Sequence, residues 1–138
     1  MFVASQNNFI MSFKAILKVG GQEYNVLNCN YGLHQETDAT GRPSSITRGG
    51  MITLKLESTA DTTLSDWMFN NFEQKSGSIS FLKRDTEATA KELNFEQAYA
   101  VKYTENFDST GQSPMTETLT ISAQTISIGN GEHINEWV

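Results

Sequence analysis

Two alternating segments flank a pair of glycines in the stretch FKAILKVGGQEYNVL, residues 13–27. Apolar side chains occupy every second position from Phe13 to Val19, and Lys14 and Lys18 lie on the opposite face. A period of two is typical of a strand that buries one face. A tight hairpin turn requires positive φ angles, which Gly20-Gly21 supplies. The stretch therefore predicts an antiparallel β-hairpin.

The same alternation continues along most of the chain. It predicts further strands over residues 28–36, 51–57, 78–83, 91–103 and 116–128. In the last of these strands the apolar positions change parity between Ala123 and Ile126, which predicts a β-bulge near Gln124. Together with the first hairpin, these segments amount to about seven or eight strands.

One segment has helical periodicity instead. The spacing of a single helical face is met by four large apolar residues, Leu64, Trp67, Met68 and Phe72. We expect a helix over roughly residues 62–72, with Thr63 and Asp66 as a capping box and Gly77 ending the excursion. Its apolar stripe should cover one open side of the barrel that the strands form. The expected fold class is all-β, mainly β with one α-helix, as a small antiparallel barrel or sandwich.

The composition of the 138 residues argues against several functions. Hydrophobic residues make up 38%, charged residues 19%, and the net charge is -6. An acidic chain without a basic cluster is a poor partner for nucleic acid or for an anionic membrane surface. No apolar run approaches the roughly 20 residues of a membrane helix, so we expect no membrane insertion. The single Cys29 rules out an intrachain disulfide and favours folding in a reducing compartment.

The N-terminal residues 1–10 carry neither a positive charge nor a long apolar core. They therefore predict no cleavable signal peptide. Met11 opens the first strand pattern. We interpret residues 1–10 as an N-terminal extension and residues 11–138 as one domain.

The titratable residues predict no catalytic, cofactor-binding or metal site. His34 and His133 lie far apart, and no zinc-ligand spacing occurs. A Cys29/His34 nucleophile pair is the one enzymatic arrangement worth weighing. On a single strand these positions have opposite parity and face opposite ways, which favours a core cysteine and a surface histidine. We expect a non-enzymatic protein that needs no cofactor.

Residues 37–50, TDATGRPSSITRGG, interrupt the strand pattern with turn formers. Loops of this length are usually either functional or disordered, and composition alone leaves both readings open. In the functional reading, Arg42 and Arg48 contact acidic groups on another copy of this acidic chain. In the other, the loop is solvated and mobile.

Trp137 offers a similar choice near the C-terminus. Exposing a tryptophan costs more than exposing a polar residue. It packs either on its own barrel, the reading we favour, or on a neighbouring subunit, where tryptophan is enriched.

Several segments, taken in order, carry a family resemblance. They are SFKA (12–15), QETDATGRPSS (35–45), RGG (48–50), WMFNNF (67–72), FLKRD (81–85) and ISIGNGEHINEWV (126–138). In combination they resemble the Bacteroidetes branch of the type VI secretion tube protein family, Hcp/TssD. The resemblance covers residues 11–138.

This resemblance implies a β-barrel with one helix, related to phage tail-tube proteins. It implies hexameric rings that stack into a hollow tube inside a contractile sheath, on a baseplate and beneath a spike protein. The same resemblance implies effector proteins in the lumen of the tube. It further implies a subunit that is cytoplasmic before firing and secreted when the sheath contracts. No catalytic residue belongs to this expectation.

The resemblance and the loop together give the candidate site residues. The inter-subunit or ring-stacking loop comprises Thr37, Asp38, Ala39, Thr40, Gly41, Arg42, Pro43, Ser44, Ser45 and Arg48. His133 and Trp137 are candidates for a C-terminal subunit contact. The alternative function is a small-ligand-binding β-barrel, which would need an apolar cavity with a few convergent polar groups.

Overall fold

The structure, a computed structural model, describes residues 13–137. The expected extension, residues 1–10, lies outside the described residues. The elements are β1 Phe13–Val19, β2 Gln22–Tyr31, β3 Met51–Glu57, α1 Thr63–Phe69, β4 Gln74–Lys83, β5 Thr89–Phe107, β6 Met115–Ile128 and β7 Gly131–Ile134.

Six antiparallel strands close into a barrel in the order β3-β2-β1-β4-β5-β6. The closing pair is β3 with β6, from Met51 opposite Ser122 to Glu57 opposite Thr116. β7 extends the sheet by pairing with the C-terminal part of β6. Over residues 13–137 the structure thus confirms an all-β fold with one helix and a small antiparallel barrel.

The barrel interior is a packed hydrophobic core. Each of the six strands contributes buried side chains, among them Leu17, Tyr24, Leu54, Ile79, Phe95 and Ile121. The inward positions are those that the period-two pattern assigned to the buried face of β1 and β3. A core of this kind is filled by side chains and does not form a pore.

The predicted first hairpin is confirmed. Val19 pairs with Gln22, and the two turn glycines have φ angles of 61° and 76°. The prediction of separate strands over residues 22–27 and 28–36 is wrong. β2 is continuous and ends at Tyr31, with a register shift against β3 between Val26 and Asn28. The register shift is a bulge within one strand, so the chain continues through residues 27 and 28 without a break.

The parity change in β6 is present, but the predicted bulge near Gln124 is not in β6. The pairing of β6 with β5 is regular there, from Glu96 opposite Thr125 to Ala98 opposite Ala123. The extra residue lies in β5, where Gln97 has a φ of 52° and the register against β4 shifts. A bulge on one strand changed the side-chain parity of its partner as well.

The helix is shorter than predicted and ends at Phe69. Leu64 and Trp67 are buried as expected, but Phe72 lies beyond the helix, has a φ of 67° and is 86% exposed. The predicted capping box is wrong. The N–H of Thr63 donates to Asp61 Oδ2 at 3.0 Å, so Asp61 accepts from the first N–H of the helix.

Gly77 does not end the helical excursion as predicted but lies inside β4. A Cβ there would overlap the carbonyl oxygen of Lys18 and the ring of Phe95. This position requires glycine because two strands and an aromatic ring approach one another closely.

Trp67 should be the main anchor of the helix on the barrel. It is 1% exposed, and its Nε1–H donates to the carbonyl of Glu73 at 2.8 Å. We expect Trp67→Ala to lower the free energy of unfolding by about 3–5 kcal/mol, because it leaves a large cavity. Phe69→Ala, in the same helix but at an 84% exposed position, should change it by less than about 0.5 kcal/mol. Guanidinium unfolding measures both, and similar losses in the two variants would contradict the assignment.

Candidate assembly site

The long segment between β2 and β3 forms a two-stranded projection, which we call the arm (residues 34–48). His34 and Arg48 exchange backbone hydrogen bonds of 3.0 and 2.7 Å. Further out, Ser44 N–H donates to Glu36 O at 2.7 Å, and Asp38 N–H donates to Arg42 O at 2.9 Å. Many of the backbone hydrogen-bonding groups of the arm are therefore paired within the arm, and nearly all its side chains are exposed. It begins three residues before the predicted loop.

Asp38 organises the tip of the arm. Its Oδ1 accepts hydrogen bonds from the Thr40 hydroxyl at 2.6 Å, the Thr40 N–H at 2.9 Å and the Arg42 N–H at 3.1 Å. The Thr40 hydroxyl, and then these backbone donors, lower the pKa of the Asp38 carboxyl. Gly41 turns the chain with a φ of 89°. The tip thus presents Arg42 and Pro43 to solvent in a fixed local geometry.

Side chains tie the two halves of the arm together below the tip. Arg48 Nε lies 3.2 Å from Glu36 Oε2, and Gln35 Nε2 donates to Ser45 O at 3.1 Å. The Arg48–Glu36 pair is largely exposed, so it contributes at most about 1 kcal/mol. Within residues 13–137, the guanidinium of Arg42 has no carboxylate within 4.0 Å. Of the two predicted arginines, Arg42 is therefore the one available to a partner.

Asn135, which the sequence interpretation missed, lies at the root of the arm. Its side-chain Nδ2 donates to Gly49 O at 2.9 Å and to Ala123 O at 3.1 Å. Its Oδ1 lies 3.0 Å from His133 Nε2. Gly50 is buried with a φ of 109°, and its carbonyl accepts from Ala123 N–H at 2.8 Å. The RGG and HIN segments of the sequence therefore meet in space.

Trp137 packs against its own barrel. Its ring lies 5.3 Å from that of Tyr99, at an angle of 34°, and the residue is 38% exposed. Both rings line an open groove of about 460 Å³ together with Met68, Phe72 and Val101. The contact favoured from the sequence is present, and the exposed part of the ring leaves room for a second contact.

Comparison with known proteins identifies the family to which this chain belongs. A sequence model described as hemolysin coregulated protein Hcp (TssD) matches residues 11–138. The chain belongs to the Hcp (TssD) family. A comparison with curated proteins gave no match.

Solved structures agree with the assignment to the Hcp family. Hcp1 from Flavobacterium johnsoniae is 56% identical, with a TM-score of 0.85 over 88% of this chain and 99% of that chain. Hcp1 from Salmonella typhimurium is 15% identical, with a TM-score of 0.69 over 84% and 85%.

A chain of the PVC sheath-tube complex of an extracellular contractile injection system is 20% identical, with a TM-score of 0.53 over 94% of this chain and 99% of that chain. The two distant structures show the shared fold alone. Family membership makes this chain a subunit of a secretion tube of the type VI class.

The burial of Cys29 in this Hcp-family chain disfavours the thiolate form of its side chain. Burial raises the pKa of the thiol to about 11, whereas a nucleophile needs a lowered one. The predicted parity argument does not apply, because His34 lies beyond the end of β2 and pairs with Arg48. Among residues 13–137, no three His, Cys, Asp or Glu side chains converge as metal ligands. No helix of the described chain has the length and apolarity to cross a membrane.

The lowered pKa of Asp38 gives the arm a pH dependence of known sign. A carboxyl whose pKa is lowered by folding stabilises the folded state at pH values above its unfolded pKa of about 3.9. This contribution is lost as the pH falls through the pKa of the folded state. We expect the NMR chemical shifts of the Thr40 and Arg42 amide protons to stay constant from neutral pH to about pH 4 and to change below that pH. NMR titration measures this. Movement centred well above pH 5 would contradict the assignment.

Gly50 should tolerate no side chain at the root of the arm. A Cβ would lie 2.5 Å from Asn135 Nδ2 and 2.7 Å from Ala123 O, in a left-handed conformation. We expect Gly50→Ala to lower the free energy of unfolding by about 2–4 kcal/mol. In Gly32→Ala a Cβ would have no atom within 4 Å, and we expect a change within about 0.5 kcal/mol. Chemical denaturation compares them, and equal stabilities would count against this geometry.

Proposed function

We propose that this chain assembles into hexameric rings that stack into a hollow tube. The tube is expelled by a contractile sheath and delivers effector proteins carried in its lumen. The observation that carries the proposal is the arm, whose backbone is paired within itself and whose tip presents side chains outward. Such a projection contributes little to its own core and suits contact with another copy.

Arg42 places a positive charge at the tip of an acidic chain, where it can contact an acidic surface of another copy. The net charge is -6, and Arg42 at the tip has no carboxylate partner within the described part of the protomer. A guanidinium can pair with a carboxylate in two-pronged fashion. Acidic surface on an adjacent subunit is therefore a suitable partner for the tip. His133 and Trp137 are proposed to support subunit contacts from the C-terminal tail.

The packed barrel places the lumen between subunits. Because side chains fill the interior of each barrel, a channel wide enough for cargo has to form at the centre of a ring. Closed rings with identical interfaces limit further growth to stacking. The same packing disfavours the alternative of a small-ligand-binding barrel, which needs a cavity in place of this core.

The proposed function implies further partners and a two-stage location. The tube would contact sheath, baseplate and spike proteins, and would hold effectors. The subunit would be cytoplasmic before firing and outside the cell afterwards.

Replacing Arg42-Pro43 by Ala-Ala should impair stacking and secretion while the barrel stays folded. The pair lies at the exposed tip and contributes nothing to the core. Sedimentation velocity measures stacking, secretion assays measure export, and circular dichroism checks the fold. The matched control is Ser113-Pro114→Ala-Ala, which removes the other proline of the chain from a different turn. Unchanged stacking and secretion in the arm variant would reject the assigned role of the tip.

A further inference from the structure

We infer that Asn135 is a positioning residue that fixes the angle at which the arm leaves the barrel. Through that angle it would determine whether the tip reaches its partner subunit. The first step, that Asn135 fixes the angle of the arm, concerns the protomer alone. The second step, that this angle controls stacking, rests on the proposed function.

Asn135 fills a gap in the sheet. Along one side, β6 pairs with β3 as far as Ser122 and with β7 from Thr125 onward. The carbonyl oxygens of Ala123 and Gly49 fall at this change of partner. The Asn135 side-chain Nδ2 donates to both, and its backbone N–H donates to Gln124 O at 2.7 Å. One residue thus joins the barrel wall to the chain as it leaves the arm.

The hydrogen bonds fix the orientation of the Asn135 amide. Both protons of Nδ2 point at carbonyl oxygens, so Oδ1 faces the His133 ring at 3.0 Å. Since Oδ1 only accepts, His133 Nε2 must carry the donated proton. Aspartate at position 135 would instead place a carboxylate against two carbonyl oxygens.

The hydrogen bonds of Asn135 lie at the root of the arm, where they act on the direction of the arm and leave its own pairing unchanged. The arm has its own hydrogen-bond ladder, which begins at the His34–Arg48 pair. Gly49 follows Arg48 directly, so Asn135 holds the chain one residue after the ladder ends. From His34 to the tip the arm spans about five residues, or about 17 Å, so a tilt of about 20° at the root would move the tip by about 6 Å. A displacement of that size breaks a contact that depends on hydrogen-bond distances.

The test compares Asn135→Asp with Asn130→Asp, which makes the same change of charge at an exposed position in the turn between β6 and β7. Spin labels on Ala39→Cys, an exposed position at the tip, and Glu92→Cys on the barrel, in a Cys29→Ser background and diluted into unlabelled chain, report the arm direction. Sedimentation velocity reports stacking. Thermal unfolding reports whether the barrel is folded.

We expect a single narrow label distance in the parent and in Asn130→Asp, and a shifted or broadened one in Asn135→Asp. Stacking should fall by about tenfold or more in Asn135→Asp only. An unchanged distance in Asn135→Asp would overturn the inference, and so would a changed distance with undiminished stacking. A parent chain that never stacks would instead reject the proposed function, and the label distances would still test the first step.

A second pair of variants serves if Asn135→Asp does not fold. His133→Gln keeps a donor for Asn135 Oδ1, whereas His133→Leu removes it. We expect the label distance to broaden in His133→Leu and to stay narrow in His133→Gln. The same distance distribution in both variants would overturn the inference.

Discussion

The pairing of β3 with β6 is the constraint on which the rest of the structure depends. Without it the six strands would form an open sheet with two edges and an apolar face in water. With it, Leu54 and Ile121 from the two closing strands lie in one buried core. The pairing joins segments far apart in the sequence, and non-local pairings of this kind slow folding.

The same closure explains why the arm stands where it does. The arm is the connection between β2 and β3, and β3 reaches β6 only as far as Ser122. From that point β7 takes over as the partner of β6, and the C-terminal tail lies beside the root of the arm. The fold therefore brings the arm and the C-terminal segment around Asn135 together without placing either in the core.

Two phenylalanine side chains of the protomer pack against almost nothing within it. Burying a phenylalanine side chain contributes roughly 1.5–3 kcal/mol, yet Phe69 and Phe72 remain almost fully exposed. Phe72 also adopts a left-handed conformation, which costs about 1–3 kcal/mol for a non-glycine residue. A neighbouring subunit that covered Phe69 and Phe72 would bury this apolar surface, which agrees with a tube protein.

Local patterns predicted the parts of the fold that local chemistry determines. The Gly20-Gly21 hairpin and the limits of β3 follow from turn requirements and alternation. The bulge at Gln97 could not be located, because it is defined by pairing with β4 and shows in the sequence only as a parity change in β6. Phe72 fitted the helical spacing, but the spacing gives no indication of where the helix ends.

The candidate site divides in the same way. Turn formers marked the arm and its tip, and the arginines were visible as charges. Asn135 gave no signal of its own, since its partners are the carbonyls of Gly49 and Ala123, and Gly49 lies 86 residues away. A side chain that hydrogen-bonds distant backbone can be recognised only after the strands are paired.

Negative-stain electron microscopy of the purified chain across a range of concentrations tests the central claim most directly. The account predicts rings with an open centre, which join into tubes as the concentration rises. Isolated protomers at every concentration would contradict it.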